Sequence, residues 1–354
     1  MEGQPPRLSK PEPALSGVER AKPGATKNAG EISIGSDRGR FMRMRRTLAY
    51  LVFASCILVV AIKNRAAEVR SGDWTISKSD SPGKVEFSLI EHHHGGTSSH
   101  QSDWPPTLFP GVDFSRPGRQ DVHFTITRDA GKIDCEGFLK DGEGAGIFHF
   151  QADPNYAHEM NSVGFSVDEE KQFAMAVQDV SLEFARQMKN ERLTDLDADR
   201  LVAFRIFRVD SAFIEDLRAE GLKISDSDKL VAFRIHGVTP QMVRSLHQAG
   251  YSPDEDTLIA MRIHGATPEW MDQLKQRGYD HVELEKLIAF RIHGVSPEFI
   301  EKLQGLGYSH PDPDELIAMR IHRVTPDYIS DLRSRGLHDL SIDQLVSMRI
   351  HGID

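Results

Sequence analysis

Six near-identical segments of nine residues recur through the second half of the chain, and they constrain its fold more than any other feature. The common pattern is Leu-(Val/Ile)-Ala-(Phe/Met)-Arg-Ile-His-Gly-Val, and successive copies start 28 or 29 residues apart. They begin at Leu201, Leu230, Leu258, Leu287, Leu316 and Leu345. A fixed period of this size is typical of arrays in which each unit stacks on its neighbours. A weaker copy, Phe173–Val177 followed by Val180, is expected to form a capping unit.

Each unit is expected to contain two helices. The first begins at a Thr-Pro or Ser-Pro pair, where the hydroxyl accepts from an unpaired N–H and proline needs no N–H of its own. The second begins at patterns such as Asp312–Glu315 or Ser341–Gln344, which resemble capping boxes. Because such short helices are marginal alone, neighbouring units must stabilise them. Residues 168–354 are therefore predicted to form an α-solenoid of helix pairs, each of about 29 residues.

An arginine occupies the fifth position of all six segments. A helical wheel places it within the apolar face of the second helix, where an unpaired guanidinium would be costly. Its candidate partners are acidic residues just after the Pro (Glu269, Glu298, Asp327) or helix-end carbonyls of a neighbouring unit. We predict a structural role, with ligand binding as the alternative, for Arg205, Arg234, Arg262, Arg291, Arg320 and Arg349.

A histidine follows in five of the segments, in the last turn of the helix, where cations and donors favour the helix dipole and free carbonyls. Neighbouring copies are expected on the order of 10 Å apart, too far to share one metal ion. Phe207 replaces the histidine once, and Arg208 and Arg323 replace the glycine, a tolerance typical of packing. Helix-end capping is predicted, with metal binding or proton sensing as the alternative, for His236, His264, His293, His322 and His351.

Residues 72–160 alternate apolar and polar side chains, which predicts a small antiparallel β domain, either a sheet or a sandwich. The stretch 91–119 is rich in Gly, Pro and Ser and is expected to be a long loop. Within it, His92 and His94 could point to one face and share a metal ion, but no neighbouring carboxylate or cysteine completes a site. A solvated loop is the favoured interpretation, and no cofactor is predicted.

Motifs for catalysis are missing from the sequence. His158-Glu159 lacks the second histidine of a zinc-protease helix, and no nucleophile elbow, phosphate loop or dinucleotide fingerprint occurs. The two cysteines, Cys56 and Cys135, are poorly placed to pair and cannot supply a cysteine zinc site. The sequence therefore predicts a protein that is not an enzyme.

The first 63 residues predict a membrane anchor. Residues 1–46 are rich in Pro, Gly, Ser and charge, which is typical of a disordered tail, and carry ten Lys/Arg against five Asp/Glu. Residues 47–63 include the uncharged run 48–62 and are expected to form a transmembrane signal anchor, with the C-terminal domains extracytoplasmic. The alternatives are a cleaved signal starting at Met42 or Met44, a lipoprotein signal at Cys56, or a buried helix.

The chain beyond this anchor is acidic: residues 64–354 contain 48 Asp/Glu and 32 Lys/Arg. Because phosphate backbones repel such a surface, no nucleic-acid partner is expected.

The repeat unit resembles those in the extracytoplasmic C-terminal tails of bacterial beta-lactam-sensor membrane proteins. The resemblance covers about residues 168–354, and the metallopeptidase part of those proteins is missing here. It implies a sensory or scaffolding role in the cell envelope.

From these observations we expect an α+β multidomain protein of the inner membrane that acts as a non-catalytic scaffold. Its repeat array and β domain would bind a protein, peptide or glycan outside the cytoplasm. Two alternatives remain. One is a sensor subunit that couples an extracytoplasmic ligand to a cytoplasmic regulator through residues 1–46. The other is a hydrolase using His92, His94 or His158 in the β domain.

Overall fold

The computed structural model describes residues 70–93 and 96–353 of the chain. The predicted tail 1–46, the predicted anchor 47–63 and His94 lie outside these residues. Among the residues described, no helix is long and apolar enough to cross a membrane. The architecture is α+β: a sheet comes first and helices follow.

Six antiparallel strands form one sheet in the described part of the chain, in the order β3-β2-β1-β6-β5-β4. Their bounds are β1 Arg70–Lys78, β2 Val85–His93, β3 Gly96–Trp104, β4 Arg119–Arg128, β5 Gly131–Lys140 and β6 Glu143–Ala152. Strands β4, β5 and β6 are joined by two-residue turns at Asp129-Ala130 and Asp141-Gly142. The alternation read from the sequence is seen here, because every second side chain is buried on the inner face. These are even positions such as Phe124 and Phe148 in β1, β4 and β6, and odd positions such as Phe87 and Ile133 in β2 and β5.

The expectation of one long loop over residues 91–119 is wrong. Strand β2 continues to His93, and Gly96–Trp104 pairs with it as edge strand β3. Only Thr97 and Trp104 of its nine residues belong to the types enriched in strands, so the backbone pairing with β2 decides its structure. Only the remainder is irregular, with a short 3₁₀ turn at Pro106–Leu108.

Trp74 fixes the packing at the centre of the sheet. Its neighbour across the strands is Gly146, which in turn pairs with Gly137. A Cβ atom on Gly137 would lie 2.7 Å from the Trp74 ring, and one on Gly146 would lie equally close. The two glycines therefore leave the space in which the indole lies, and its Nε1 donates to the carbonyl of Glu136 at 3.2 Å.

Fourteen helices follow in the described region and alternate as first and second members of seven pairs. The first helices are α1 Pro154–Ser162, α3 Leu182–Asn190, α5 Ser211–Ala219, α7 Pro240–Gln248, α9 Pro268–Lys275, α11 Pro297–Gly305 and α13 Pro326–Ser334. The second helices are α2 Glu169–Val177, α4 Ala198–Phe207, α6 Ser227–His236, α8 Glu255–His264, α10 Leu284–His293, α12 Pro313–Ile321 and α14 Ile342–Ile350. Each second helix contacts the second helices of the adjacent pairs.

The first helix pair begins earlier than the expected boundary at residue 168. Helix α1 lies within the region assigned to the β domain, yet it packs on α3 as a first helix does. The buried Tyr156 donates its hydroxyl to the carbonyl of Val180 at 2.7 Å. The sequence did not predict this helix because α1 lacks the Thr-Pro or Ser-Pro start of first helices α7, α9, α11 and α13.

The first pair also docks on the sheet. Phe173 of α2 is fully buried, and its ring stacks on Phe148 with the centroids 5.7 Å apart. The amide of the buried Gln172 donates to the carbonyls of Ala130 and Asp153, at 2.8 and 2.7 Å. These contacts replace the polar outer face that a free capping unit would need.

Candidate binding surface

The helix ends of the repeat units follow the sequence pattern closely. Thr239, Thr267, Ser296 and Thr325 each accept from the backbone N–H two residues beyond the proline. The capping boxes expected at Asp312 with Glu315 and at Ser341 with Gln344 are confirmed. These caps fix where each helix begins and hence which side chains reach the surface.

The repeated arginines join each unit to the one before it. The Nε of Arg262 donates to the backbone carbonyl of His236 at 2.9 Å. Equivalent bonds run from Arg291 to His264 at 3.0 Å and from Arg320 to His293 at 3.2 Å. At the two ends of the array Arg205 donates to Gln178 and Arg349 to Arg323. The sequence left two kinds of partner open for these arginines, and the structure shows them bound to the helix-end carbonyls.

The expectation that these arginines lie inside the apolar face is wrong. Arg205 and Arg291 are exposed, and the other four are half-buried. The guanidinium groups of all but Arg262 lie over an aromatic ring of the preceding first helix. Arg349 stands 4.4 Å from the Tyr328 centroid, and Arg320 stands 5.0 Å from that of Phe299. The long aliphatic stem covers apolar surface while the charged group stays near water, which the helical wheel could not show.

Arg234 departs from this pattern. Its Nε is buried and has no hydrogen-bond partner among the described residues, although its guanidinium lies 3.6 Å from the Phe213 centroid. The residue at the glycine position of the preceding unit is Arg208, which has a left-handed backbone with φ of 58°. At that position Gly237 leaves room for Arg262, because a Cβ there would lie 2.8 Å from its Nη2. Arg208 carries a Cβ atom at this position, but so does Asp179, beside which Arg205 still donates to Gln178, so the Cβ atom alone does not prevent the bond. Burial lowers the pKa of Arg234.

The repeated histidines lie at the ends of the second helices. The side chain of His351 is hydrogen-bonded through Nδ1 to the carbonyl of Ser347 at 2.8 Å. For His236, His264, His293 and His322, no side-chain hydrogen bond occurs within residues 70–93 and 96–353. Their role as helix-end caps stays a prediction, whereas their backbone carbonyls at positions 236, 264 and 293 receive the arginines of the next unit.

Two further rows of contacts between units were not anticipated. Tyrosines at the ends of first helices donate to carbonyls one unit ahead, as from Tyr279 to Pro311 at 2.7 Å. Burial and nearby carboxylates raise the pKa of Tyr279 to about 12. Ion pairs also link successive second helices: Lys171–Asp199 at 2.9 Å, Arg200–Asp228 at 2.5 Å, Lys229–Asp256 and Lys286–Asp314.

The second helices expose an isoleucine in every repeated segment. We call this set the isoleucine row: Ile206, Ile235, Ile263, Ile292, Ile321 and Ile350. Each is 51 to 58% exposed, although the leucine of every segment and the Phe or Met of the first five segments are buried. The invariance of isoleucine at this position was visible in the sequence, but the apolar side chain suggested burial. Repeated apolar exposure at one position makes this row the candidate binding surface.

An acidic residue stands in the first turn of each second helix, on the flank of the isoleucine row. This acidic row consists of Asp199, Asp228, Asp256, Glu285, Asp314 and Asp343. Four of its members form the ion pairs described above, whereas Glu285 and Asp343 form none within the described chain. The reason is visible at the preceding unit, where Thr257 and Glu315 replace the basic residue.

A groove lies between second helices α2 and α4, beside Ile206, the first member of the isoleucine row. It has a volume of about 430 Å³ and is lined by apolar Ala174, Val202, Ala203 and Ile206 between charged Lys171 and Asp199. Half-buried alanines equivalent to Ala203 recur at Ala232, Ala260, Ala289 and Ala318. The small side chain beside each exposed isoleucine is thus repeated along the array.

The outer face of the sheet is a second exposed surface. A shallow depression of about 920 Å³ is lined by Asp73, His123, Glu136, Phe138 and Ile147, among others. Phe138 is 37% exposed and Ile147 43%, so the depression offers apolar side chains framed by carboxylates.

The metal site suggested by His92 and His94 is not supported by the residues that can be seen. His92 Nε2 lies 2.7 Å from Asp73 Oδ2, and His94 lies outside the described chain. No cluster of three His, Cys, Asp or Glu side chains able to hold a metal ion occurs among residues 70–93 and 96–353. His158 is exposed on α1, and Cys135 is fully buried in the sheet core.

The chain matches no protein-family model, no curated protein and no solved structure. The repeat surface and the sheet face therefore have to be interpreted from their own chemistry.

Proposed function

We propose that this chain is a membrane-anchored envelope scaffold that performs no catalysis and binds a partner through the isoleucine row. The observation that carries the proposal is the alignment of six isoleucines, each more than half exposed, on consecutive second helices. The exposed part of these side chains does not stabilise the folded array, because only apolar area removed from water contributes hydrophobic free energy. Partner binding supplies the reason for an apolar side chain at this position.

The outer face of the sheet supports the same role. Phe138 and Ile147 are exposed there next to Asp73 and Glu136, which suits recognition of a protein, peptide or glycan. We propose that this face contributes a second contact area.

Position-specific photo-crosslinking tests the proposal. A photoreactive phenylalanine analogue is placed at Ile235, Ile263 or Ile292 in cells that produce the protein, and in matched form at the exposed Gln273 of first helix α9. A discrete product is expected at the three isoleucine positions and not at Gln273. Equal products at all four positions, or none at any, would contradict a binding role for the isoleucine row.

The membrane anchor is a separate part of the proposal. We propose that residues 47–63 hold the chain in the inner membrane and place the sheet and the array outside the cytoplasm, since basic residues precede the run more densely than they follow it. N-terminal sequencing of the mature protein tests this: a retained residue 1 supports an anchor, and a new terminus after residue 56 contradicts it.

A further inference from the structure

We propose that the occupant of the isoleucine row is an extended cationic polypeptide segment that places an apolar side chain on the array at every third residue. This inference rests on the proposed function, because it specifies the partner that the scaffold binds.

The first argument for an extended partner is the distance between adjacent second helices. Second helices of adjacent pairs are in contact, and packed helices lie about 8–10 Å apart. A polyproline II segment rises about 3.1 Å per residue with three residues per turn, so every third side chain faces the same way about 9.3 Å further on. One such side chain therefore reaches each successive unit. A β-strand alternates its faces at every residue and cannot keep a three-residue period on one side.

The shape of the surface carries the second step. At the start of the isoleucine row the surface drops into a groove lined by Ala174 and Ala203, between α2 and α4 and beside Ile206. Because the half-buried alanine recurs in the next four second helices, a slender extended backbone can place a side chain between successive second helices and contact the isoleucines there. An α-helix is about 10–12 Å across with its side chains, so it would rest on the isoleucine side chains and leave the grooves unfilled.

Charge carries the third step. Residues 168–354 contain 33 Asp/Glu and 23 Lys/Arg, and the acidic row runs along one flank of the isoleucine row. Glu285, near the middle of that row, forms no ion pair among the described residues, and Thr257 stands where four other units have Lys or Arg. A segment with Lys or Arg beside its apolar residues complements this flank. A second copy of this chain would instead bring two acidic surfaces together, which costs free energy.

Peptide binding to the full-length chain in nanodiscs of zwitterionic lipid tests the inference. The probe is a fluorescent 18-residue peptide of six Leu-Pro-Lys repeats. The matched controls are a peptide of the same composition with its leucines clustered, one with Glu in place of Lys, and a helical peptide with leucine at every seventh residue. Fluorescence anisotropy is expected to show at least tenfold tighter binding of the period-three probe than of any control.

Variants of the chain make the result specific. Ile263→Ser with Ile292→Ser is expected to weaken probe binding at least tenfold, and Thr257→Lys is expected to weaken it severalfold by pairing with Glu285. Gln273→Ser, on first helix α9, is the matched control and should leave the affinity unchanged. Similar affinities for the clustered and period-three peptides would overturn the inference, as would self-association in sedimentation velocity that the isoleucine variant abolishes.

The two proposals fail in different ways. If crosslinks persist at Ile235, Ile263 and Ile292 while the period-three probe shows no preference, the scaffold function stands and the extended partner is wrong. If those crosslinks are lost as well, both proposals fall.

Discussion

Arg262 donates from Nε to the backbone carbonyl of His236, which lies at the end of the preceding second helix, at 2.9 Å. One side chain thereby satisfies a carbonyl that its own helix leaves unpaired. The bond also joins two units that are 26 residues apart in sequence. Five of the six repeated arginines donate from Nε to a carbonyl of the preceding unit, and Arg234 is the exception.

Replacing Arg262 by methionine is expected to lower the free energy of unfolding by about 1–2 kcal/mol, because the His236 carbonyl loses its partner while the apolar stem is retained. The matched variant is Arg234→Met, whose Nε has no partner to lose. Urea unfolding followed by circular dichroism measures both. An equal loss in the two variants would mean that the carbonyl bond contributes little.

Replacing Arg208 by glycine is expected to stabilise the chain by about 1 kcal/mol. The change relieves a left-handed backbone at a residue that carries a Cβ atom. Arg323→Gly is the matched variant, because Arg323 is left-handed as well. The urea midpoint should rise by a similar amount for both variants, and a fall in either would contradict relief of backbone strain.

Replacing Ile263 and Ile292 by serine together is expected to change the free energy of unfolding by less than about 1 kcal/mol, because both side chains are more than half exposed. Leu258→Ala, at a fully buried position of the same segment as Ile263, should cost about 2–5 kcal/mol. Thermal unfolding compares them. A large loss from the serine variant would indicate that the isoleucine row is part of the fold rather than a free surface.

The pKa of Tyr279 predicts a stability change at high pH. Its folded pKa of about 12 exceeds the unfolded value of about 10, so the neutral phenol contributes its full stabilisation below pH ~10. That contribution is lost as the pH rises through ~12, where the ionised oxygen can no longer donate to the Pro311 carbonyl. Urea midpoints between pH 9 and 11.5 should therefore fall less steeply for Tyr279→Phe than for the parent chain. Identical slopes would show that Tyr279 does not govern this range.

The sequence was sufficient for the elements whose side chains obey local rules. The helix starts at Thr239 and Ser341 could be predicted because capping depends on a few adjacent residues. The alternation around Phe124 revealed its strand for the same reason. Strand β3 could not be found this way, because its backbone pairs with β2 while its own residues carry no strand signal.

The candidate site was harder to foresee. An isoleucine predicts burial, and only the packing of second helix on second helix shows that the sixth position of each segment remains outside. Arg205 and Arg291 were expected inside the apolar face but are exposed. A helical wheel gives the direction of a side chain and not its length, and an arginine is long enough to reach past the core.

The docking of Phe173 and Gln172 against the sheet has a final consequence for how the array holds together. One end of the helical stack is fastened to the sheet by these contacts. Local opening in such a one-dimensional stack starts where neighbours are fewest. The first helix pair is held by the sheet as well as by the second pair, and it should therefore exchange its amide protons more slowly than a pair held on one side.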